Sequence, residues 1–316
     1  MYGKNLSYVA MIVDNVDAAA RKLETDFGFL RTSHRSARGS GIPFLSVGKS
    51  ALALFAPGDP YVNGEKRTGV HHIALAVEDI DLAHKQLSSA GVMTKTDGID
   101  GGIDGGRRAL LSLDATNGIR TYLVDGIDRP DGDSAFVERI DHLGVIGTDN
   151  ARVVSTYCDK MGCVLDGEQF DTEMQTSTEH FIYKANGKTK TVVYTRPTEF
   201  VAAVHDVFIT TGDCQLEIIQ TLETDQTFRA SGDTAGNTRQ DHGALARFLA
   251  QRGPGLHHVA FKVDNIDARL EKLRAADYRV IDQRGRPGAR CSRIGFIHPR
   301  SMHGVLMHLV ERPNSI

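Results

Sequence analysis

Two near-identical phrases carry paired histidines. GVHHIALAVEDID begins at Gly69 and GLHHVAFKVDNID at Gly255, and each sets two histidines at the start of an otherwise apolar run. An imidazole there can ligate a divalent metal ion or move a proton near neutral pH. A histidine alone on an apolar strand is more often a buried group satisfied by its neighbours, so the surrounding pattern has to carry the argument. His258 alternates with Ala260, and in IDHLGV His142 alternates with Gly144. Leu143, Val145, Val259 and Phe261 take the opposite, packed face. Small residues beside a histidine leave room for a cavity.

These side chains need strands to hold them. Val259, Phe261 and Val263 alternate with His258, Ala260 and Lys262, the period of a strand with one packed face. Asp264 or Asn265 can cap a helix in which Ile266, Leu270 and Leu273 recur at helical spacing. Two further strand-like runs follow, RIGFIH and GVLMHLVE, matched in the first copy by RRALLSL and IRTYLV. Units of the same kind open with NLSYVAMIVDNVDAAARKLETDFGF and ERIDHLGVIGTDNARVVSTYCDKMGC. The chain therefore reads as four strand–helix–strands units, beginning near Asn5, Gly69, Glu138 and Gly255. Four are too few for a solenoid, so pairing is expected. The polar stretch DGIDRPDGDS, Asp125 to Ser134, divides two halves, residues 1–132 and 136–316. The third unit is longest; DGEQFDTEMQTSTEHFIYKANGKTK reads as an inserted hairpin or lid, and ETDQTFRASGDTAGNTRQDHG as a mobile loop.

Composition narrows the class. Apolar residues make up 41% and charged residues 24% of 316, which suits a globular protein with a substantial core. A net charge of −3 gives no nucleic-acid footprint. No apolar run is long enough to cross a bilayer. Cys158, Cys163, Cys214 and Cys291 show no CxxC spacing, so neither a disulfide framework nor a zinc knot is indicated, and the cytoplasm is the expected location.

Four such units, with a histidine on a first strand and an acid or amide on a last one, resemble the vicinal oxygen chelate superfamily. It includes glyoxalase I, methylmalonyl-CoA epimerase, and the extradiol and hydroxyphenylpyruvate dioxygenases. In the second half, IDHLGV, QLEIIQ, ALARFLAQRGPGLHHVAFKVDNID and FIHPRSMHGVLMHLVE are similar in order and wording to methylmalonyl-CoA epimerase. The tandem layout resembles the dioxygenases. The resemblance implies an α+β fold of four βαβββ modules in two tandem halves, each pair of modules curling a sheet around a cavity. It also implies a ligand set for one divalent ion: His142, Glu217, His258 and His308. Glu217 is an acid between Leu216 and Ile218, a position that asks for a reason. Imidazole and carboxylate donors suit zinc, nickel, cobalt, manganese or iron(II). His308 departs from the family, which carries glutamate on that strand. The matching first-half positions are Tyr8, Ala53, His72 and Tyr122, so that half is expected to lack metal and to serve packing, dimer contact or shielding.

Two enzyme classes follow from the resemblance. One is an isomerase, epimerase or lyase working through a metal-stabilised enolate on a small oxo or thioester substrate. The other is an iron(II) dioxygenase. A small-molecule sequestering protein is a third reading. For the base, Glu217 is a candidate, as are His205 or Asp206 in AVHDVFITT, with His303 near the rim; an ordinary strand or turn role is the commoner alternative for the last three. GIDGGIDGG from Gly98 lacks the lysine and the strand–loop–helix context of a phosphate cradle and reads as a hairpin or lid. RGRPGARCSR from Arg284 is locally basic and could attract a carboxylate or a CoA phosphate, although a solvated loop is the plainer reading. A tandem chain can complete its cavity alone, which leaves a homodimer open.

Overall fold

The computed structural model describes residues 2, 5–93, 98–175, 178–185, 187–195, 199–222 and 238–313. The first half contributes β1 (Leu6–Ile12), α1 (Val16–Asp26), β2 (Leu30–Arg35), β3 (Gly41–Val47) and β4 (Ser50–Phe55). Then come β5 (Gly69–Ala76), α2 (Ile80–Ser89), β6 (Ile99–Gly101), β7 (Arg107–Leu110) and β8 (Thr121–Val124). The second half opens with β9 (Arg139–Gly147) and α3 (Asn150–Val154), followed by β10 (Val164–Gln175), β11 (Thr178–Ala185), β12 (Lys188–Thr195), β13 (Glu199–Thr211) and β14 (Cys214–Thr221). It closes with α4 (Thr238–Arg252), β15 (Gly255–Lys262), α5 (Ile266–Ala275), β16 (Arg286–Pro287), β17 (Arg293–Ile297) and β18 (Met307–Glu311).

Each half forms an eight-stranded mixed sheet. The orders are β2-β3-β4-β1-β5-β8-β7-β6 and β10-β13-β14-β9-β15-β18-β17-β16. These are one topology twice, with the β11–β12 hairpin inserted into the third module. The fold is α+β. The insertion is thus a hairpin, as is GIDGGIDGG, where β6 pairs with β7. The expected mobile loop falls mainly on 223–237, outside the described residues, and its last residues begin α4. Among the described residues no helix is long and apolar enough to cross a membrane.

The repeated phrases start helices for a local reason. Asn15, Asp79, Asp149 and Asn265 each accept a hydrogen bond from the backbone N–H three residues on, satisfying a donor that the first turn leaves unpaired. Of the two cap candidates in the fourth unit, Asn265 is the one used. The helix-side faces of both sheets share one apolar cluster, running from Val9 and Phe27 through Leu143 to Phe261 and Leu309. Phe27 and Phe29 of the first half lie 6.0 and 5.5 Å from the Phe261 ring of the second. The opposite, concave faces differ between the halves, and that difference frames the site.

Candidate metal centre

The central strands of the second sheet run β14-β9-β15-β18, and each brings one donor. In the β9–β15 pairing His142 lies opposite Ala260, and His258 opposite Gly144. Glu217 is level with Gly144 across β14–β9, and His308 with Ala260 across β15–β18. Partners at one level share a face, so all four side chains project from the concave side. Gly144 makes this packing feasible. A Cβ built there would come within 1.9 Å of His258 Cε1 and 2.2 Å of its Nε2.

The group is dry: His142, Glu217, His258 and His308 are 3%, 6%, 3% and 2% exposed. His142 Nε2 lies 3.0 Å from His308 Nε2 and 3.0 Å from Glu217 Oε2. His258 Nε2 lies 4.0 Å from the same carboxylate oxygen. Donors about 2.1 Å from a common ion stand roughly 3.0 Å apart at right angles and roughly 4.2 Å apart across it. One nitrogen from each histidine falls within 4.8 Å of the others. His258 Nε2 and His308 Nδ1 are buried without a hydrogen-bond partner, a cost a protein seldom bears without a ligand. Three imidazoles, one carboxylate and an orphaned buried nitrogen fit a divalent cation.

A supporting chain lies behind His142. Its Nδ1 is 2.8 Å from Asp141 Oδ1, and Asp141 in turn takes hydrogen bonds from Arg312. In the neutral, ligating ring this places the proton on Nδ1 and leaves Nε2 facing the other donors. Burial works against charge on His142, but Glu217 and Asp141 outweigh it and lift its pKa to about 9. Burial would raise the Glu217 pKa, yet His142 holds it below the ordinary value, so the carboxylate is ionised. Burial, then the neighbouring histidines, pushes His258 and His308 well below the ordinary imidazole value, leaving both neutral and fit to ligate. His257 Nδ1 lies 3.0 Å from His258 Nδ1 and orients that ring.

The other candidates lie elsewhere. His205 pairs with Gln220 in the β13–β14 ladder, whereas Phe208 pairs with Glu217. His205 therefore points to the helix side. It sits 2.9 Å from Glu168 Oε2, stacks on Phe170 at 4.2 Å, and takes Asn150 as a neighbour. The structure does not bring it to the cluster. Asp206, one residue on, is buried on the concave face opposite Ile219. His303 is tied to the first half, 2.6 Å from Asp14 Oδ1. Sequence reasoning passed over Asp141 and Arg312. Strict alternation turns Asp141 away from His142, and the irregularity between Ala260 and Phe261 in the β15–β9 pairing sits beside it.

In the first half the equivalent levels hold Tyr8, Ala53, His72 and Tyr122. Side chains fill the space. Tyr8 and Tyr61 share a 3.1 Å hydroxyl contact, Phe55 stacks on Tyr61 at 5.4 Å, and the buried Arg108 guanidinium lies 3.9 Å above the Tyr61 ring. His72 is buried edge-on to Tyr122 at 4.9 Å.

Comparison with known proteins agrees with this architecture. The chain is 32% identical over 108 residues to YqjC, an uncharacterised Bacillus subtilis protein, covering 34% of this chain and 65% of that one. It is 36% identical over 73 residues to the mitochondrial methylmalonyl-CoA epimerase of Dictyostelium discoideum, covering 23% and 44%. With the human mitochondrial methylmalonyl-CoA epimerase it shares 27% over 106 residues, covering 33% and 51%. The chain thus spans between 44% and 65% of these relatives' lengths. A mutant of 4-hydroxymandelate synthase from Streptomyces coelicolor shares the fold over 100% of this chain and 94% of that one, with a TM-score of 0.58 at 16% identity. Residues 5–111 and 141–296 each match a family profile, and by these two matches the chain belongs to the Glyoxalase/Bleomycin resistance protein/Dioxygenase superfamily.

Proposed function

We propose that the second half holds one divalent metal ion through His142, Glu217, His258 and His308, and acts on a small oxo or thioester substrate as an isomerase, epimerase or lyase. When bound, such an ion acts as a Lewis acid that polarises a substrate oxygen and eases loss of the adjacent proton. His142, oriented by Asp141 and Arg312, and His258, oriented by His257, fix the ligand directions. Glu217 turns Oε2 toward His142 and His258, which leaves Oε1 to accept the substrate proton. Its low pKa keeps it ionised for that step. Leu245 of α4 packs with Ile146 and Ile219 on the concave side and keeps that end dry.

The observation carrying this reading is the convergence of four buried donors from four adjacent strands, with His258 Nε2 left unpartnered. Four protein donors would leave a bound ion few open places, and a substrate chelating through two oxygens would fill them, which favours proton transfer over oxygen activation. The experiment is anaerobic purification with metal analysis, followed by deuterium exchange into 2-oxo acids and acyl-CoA thioesters. Exchange without oxygen supports the proposal. Oxygen uptake with catechols or 2-oxo acids that requires iron would replace it with a dioxygenase, the reading favoured by a filled first half joined to a single centre. Absence of stoichiometric metal would point to a sequestering protein.

A further inference from the structure

The loop between β16 and β17 belongs to the far edge of the second sheet, yet it reaches the near edge. Arg290 and Cys291 both hold left-handed backbone, φ 57 and 56, a strained conformation for side-chain-bearing residues that persists only where surrounding contacts impose it. Those contacts include bonds within the loop at Ala289 and Ser292 and the contacts of Arg290. Its Nη1 forms an ion pair with Asp166 of β10 and lies 3.2 Å from Gln215 Oε1 of β14. Its backbone N–H donates to Gln169 Oε1 at 2.7 Å.

These partners place Arg290 on the concave face. Gln215 is level with His142 in the β14–β9 pairing and alternates with Glu217, so it shares the donors' face. Phe208, opposite Glu217, lies 5.1 Å beneath the Arg290 guanidinium. A second arginine follows the same face. Arg286 pairs with Ile294, two residues from Phe296, and its guanidinium is 5.5 Å from the Phe296 ring. Phe296 in turn lies 4.4 Å from His308. Two cations thus stand on the donor face, neither needed to hold a metal ion.

We propose, resting on the function assigned above, that Arg290 is a specificity-determining residue that binds a carboxylate of the substrate, so that the substrate is a small carboxylic acid bearing a further oxygen group. A planar guanidinium matches a carboxylate through two parallel hydrogen bonds. In the substrate-free protein Asp166 offers the same chemistry and engages one arm of the guanidinium, Nη1, through an oxygen that also accepts from Gln215 Nε2. Asp166 and Arg290 are 35% and 34% exposed, so an incoming acid can reach the pair, and an ion pair open to water to that extent adds little stability and can be exchanged.

Malonate serves as the probe, titrated by calorimetry against the full chain with inorganic phosphate in parallel. Arg290→Gln should weaken malonate binding at least tenfold, and Arg290→Lys, which keeps the charge without the fork, by less. Asp166→Asn removes the internal competitor and should strengthen binding severalfold. A purely structural latch would give the opposite sign for Asp166→Asn. Failure of the wild type to bind millimolar malonate, unchanged affinity in Arg290→Gln, weakened affinity in Asp166→Asn, or preference for phosphate overturns the assignment. Metal content measured on the same samples separates the two readings. Metal-free wild type with the Arg290 effect intact sinks the proposed function alone; stoichiometric metal without that effect sinks this one alone.

Discussion

Replacing Gly144 by alanine tests the centre through its packing rather than its donors. No positive φ forbids a side chain there, so the effect is steric. The new Cβ would sit 1.9 Å from His258 Cε1, and ordinary contact begins near 3.4 Å, so the ring must recede by about 1.5 Å (3.4 − 1.9). Little room exists for that retreat. The ring is 3% exposed, its Nδ1 is held by His257, and Phe296 and His308 lie 5.6 and 4.7 Å away. Metal ligation tolerates roughly 0.2 Å. Gly144→Ala should therefore cost about 1–3 kcal/mol of stability through overpacking and weaken metal binding on the order of a hundredfold, at least as much as loss of a supporting contact. Metal affinity by competition with a chromogenic chelator and stability by urea unfolding measure the two effects. In a His258→Ala background the added methyl gains space, so the stability cost of Gly144→Ala should shrink by about 1 kcal/mol or more. Equal costs in both backgrounds, or wild-type metal affinity in Gly144→Ala, would refute the reasoning.

Two further outcomes follow. Asp141→Asn keeps the shape but removes the negative charge that pairs with Arg312 and strengthens the bond to His142 Nδ1, and should lower metal affinity roughly ten- to a hundredfold without abolishing it, as read by the same competition assay. For stability against pH, burial then Arg120 hold His71 at about 3, and burial then Arg252 hold His257 at about 4, both below the ordinary 6.5. Their contribution is complete above pH 6.5 and is lost as the pH falls toward those values, at up to about 1.4 kcal/mol per pH unit for each group. His142 has the opposite sign in the chelator-treated protein: its contribution is present below pH 6.5 and fades as the pH climbs through about 9. Urea midpoints of the chelator-treated protein between pH 4 and 10 should trace a dome, and a flat acid limb would contradict the burial argument.

Much of this architecture was legible because the repeat announces itself. Period-two runs such as His258 to Lys262, followed by an Asx cap and a helical apolar period, locate the strand–helix start of each module. The small residues Gly144 and Ala260 flagged the face on which histidines have room. What alternation cannot supply is register between neighbouring strands. His205 and Asp206 differ by one position and hence by a whole face, and only the β13–β14 pairing, with Phe208 opposite Glu217, decides which of them looks into the cup. A distortion in pairing is equally silent, which is why Asp141 escaped notice beside His142. The reach of Arg290 across the sheet depends on curvature and a left-handed pair of residues, and single-sequence periodicity carries neither quantity.

The apolar cluster shared by both sheets bears on how such a chain can change over time. The first half offers one histidine in place of four donors, yet deleting it would bare Phe261 and its neighbours to water. Its two faces therefore answer to different pressures. The interior around Tyr8, Phe44 and Tyr61 has only to stay filled, while the face that packs against the other half must stay apolar and fit Phe261. The first half thus contributes packing to the shared core whatever its own interior does.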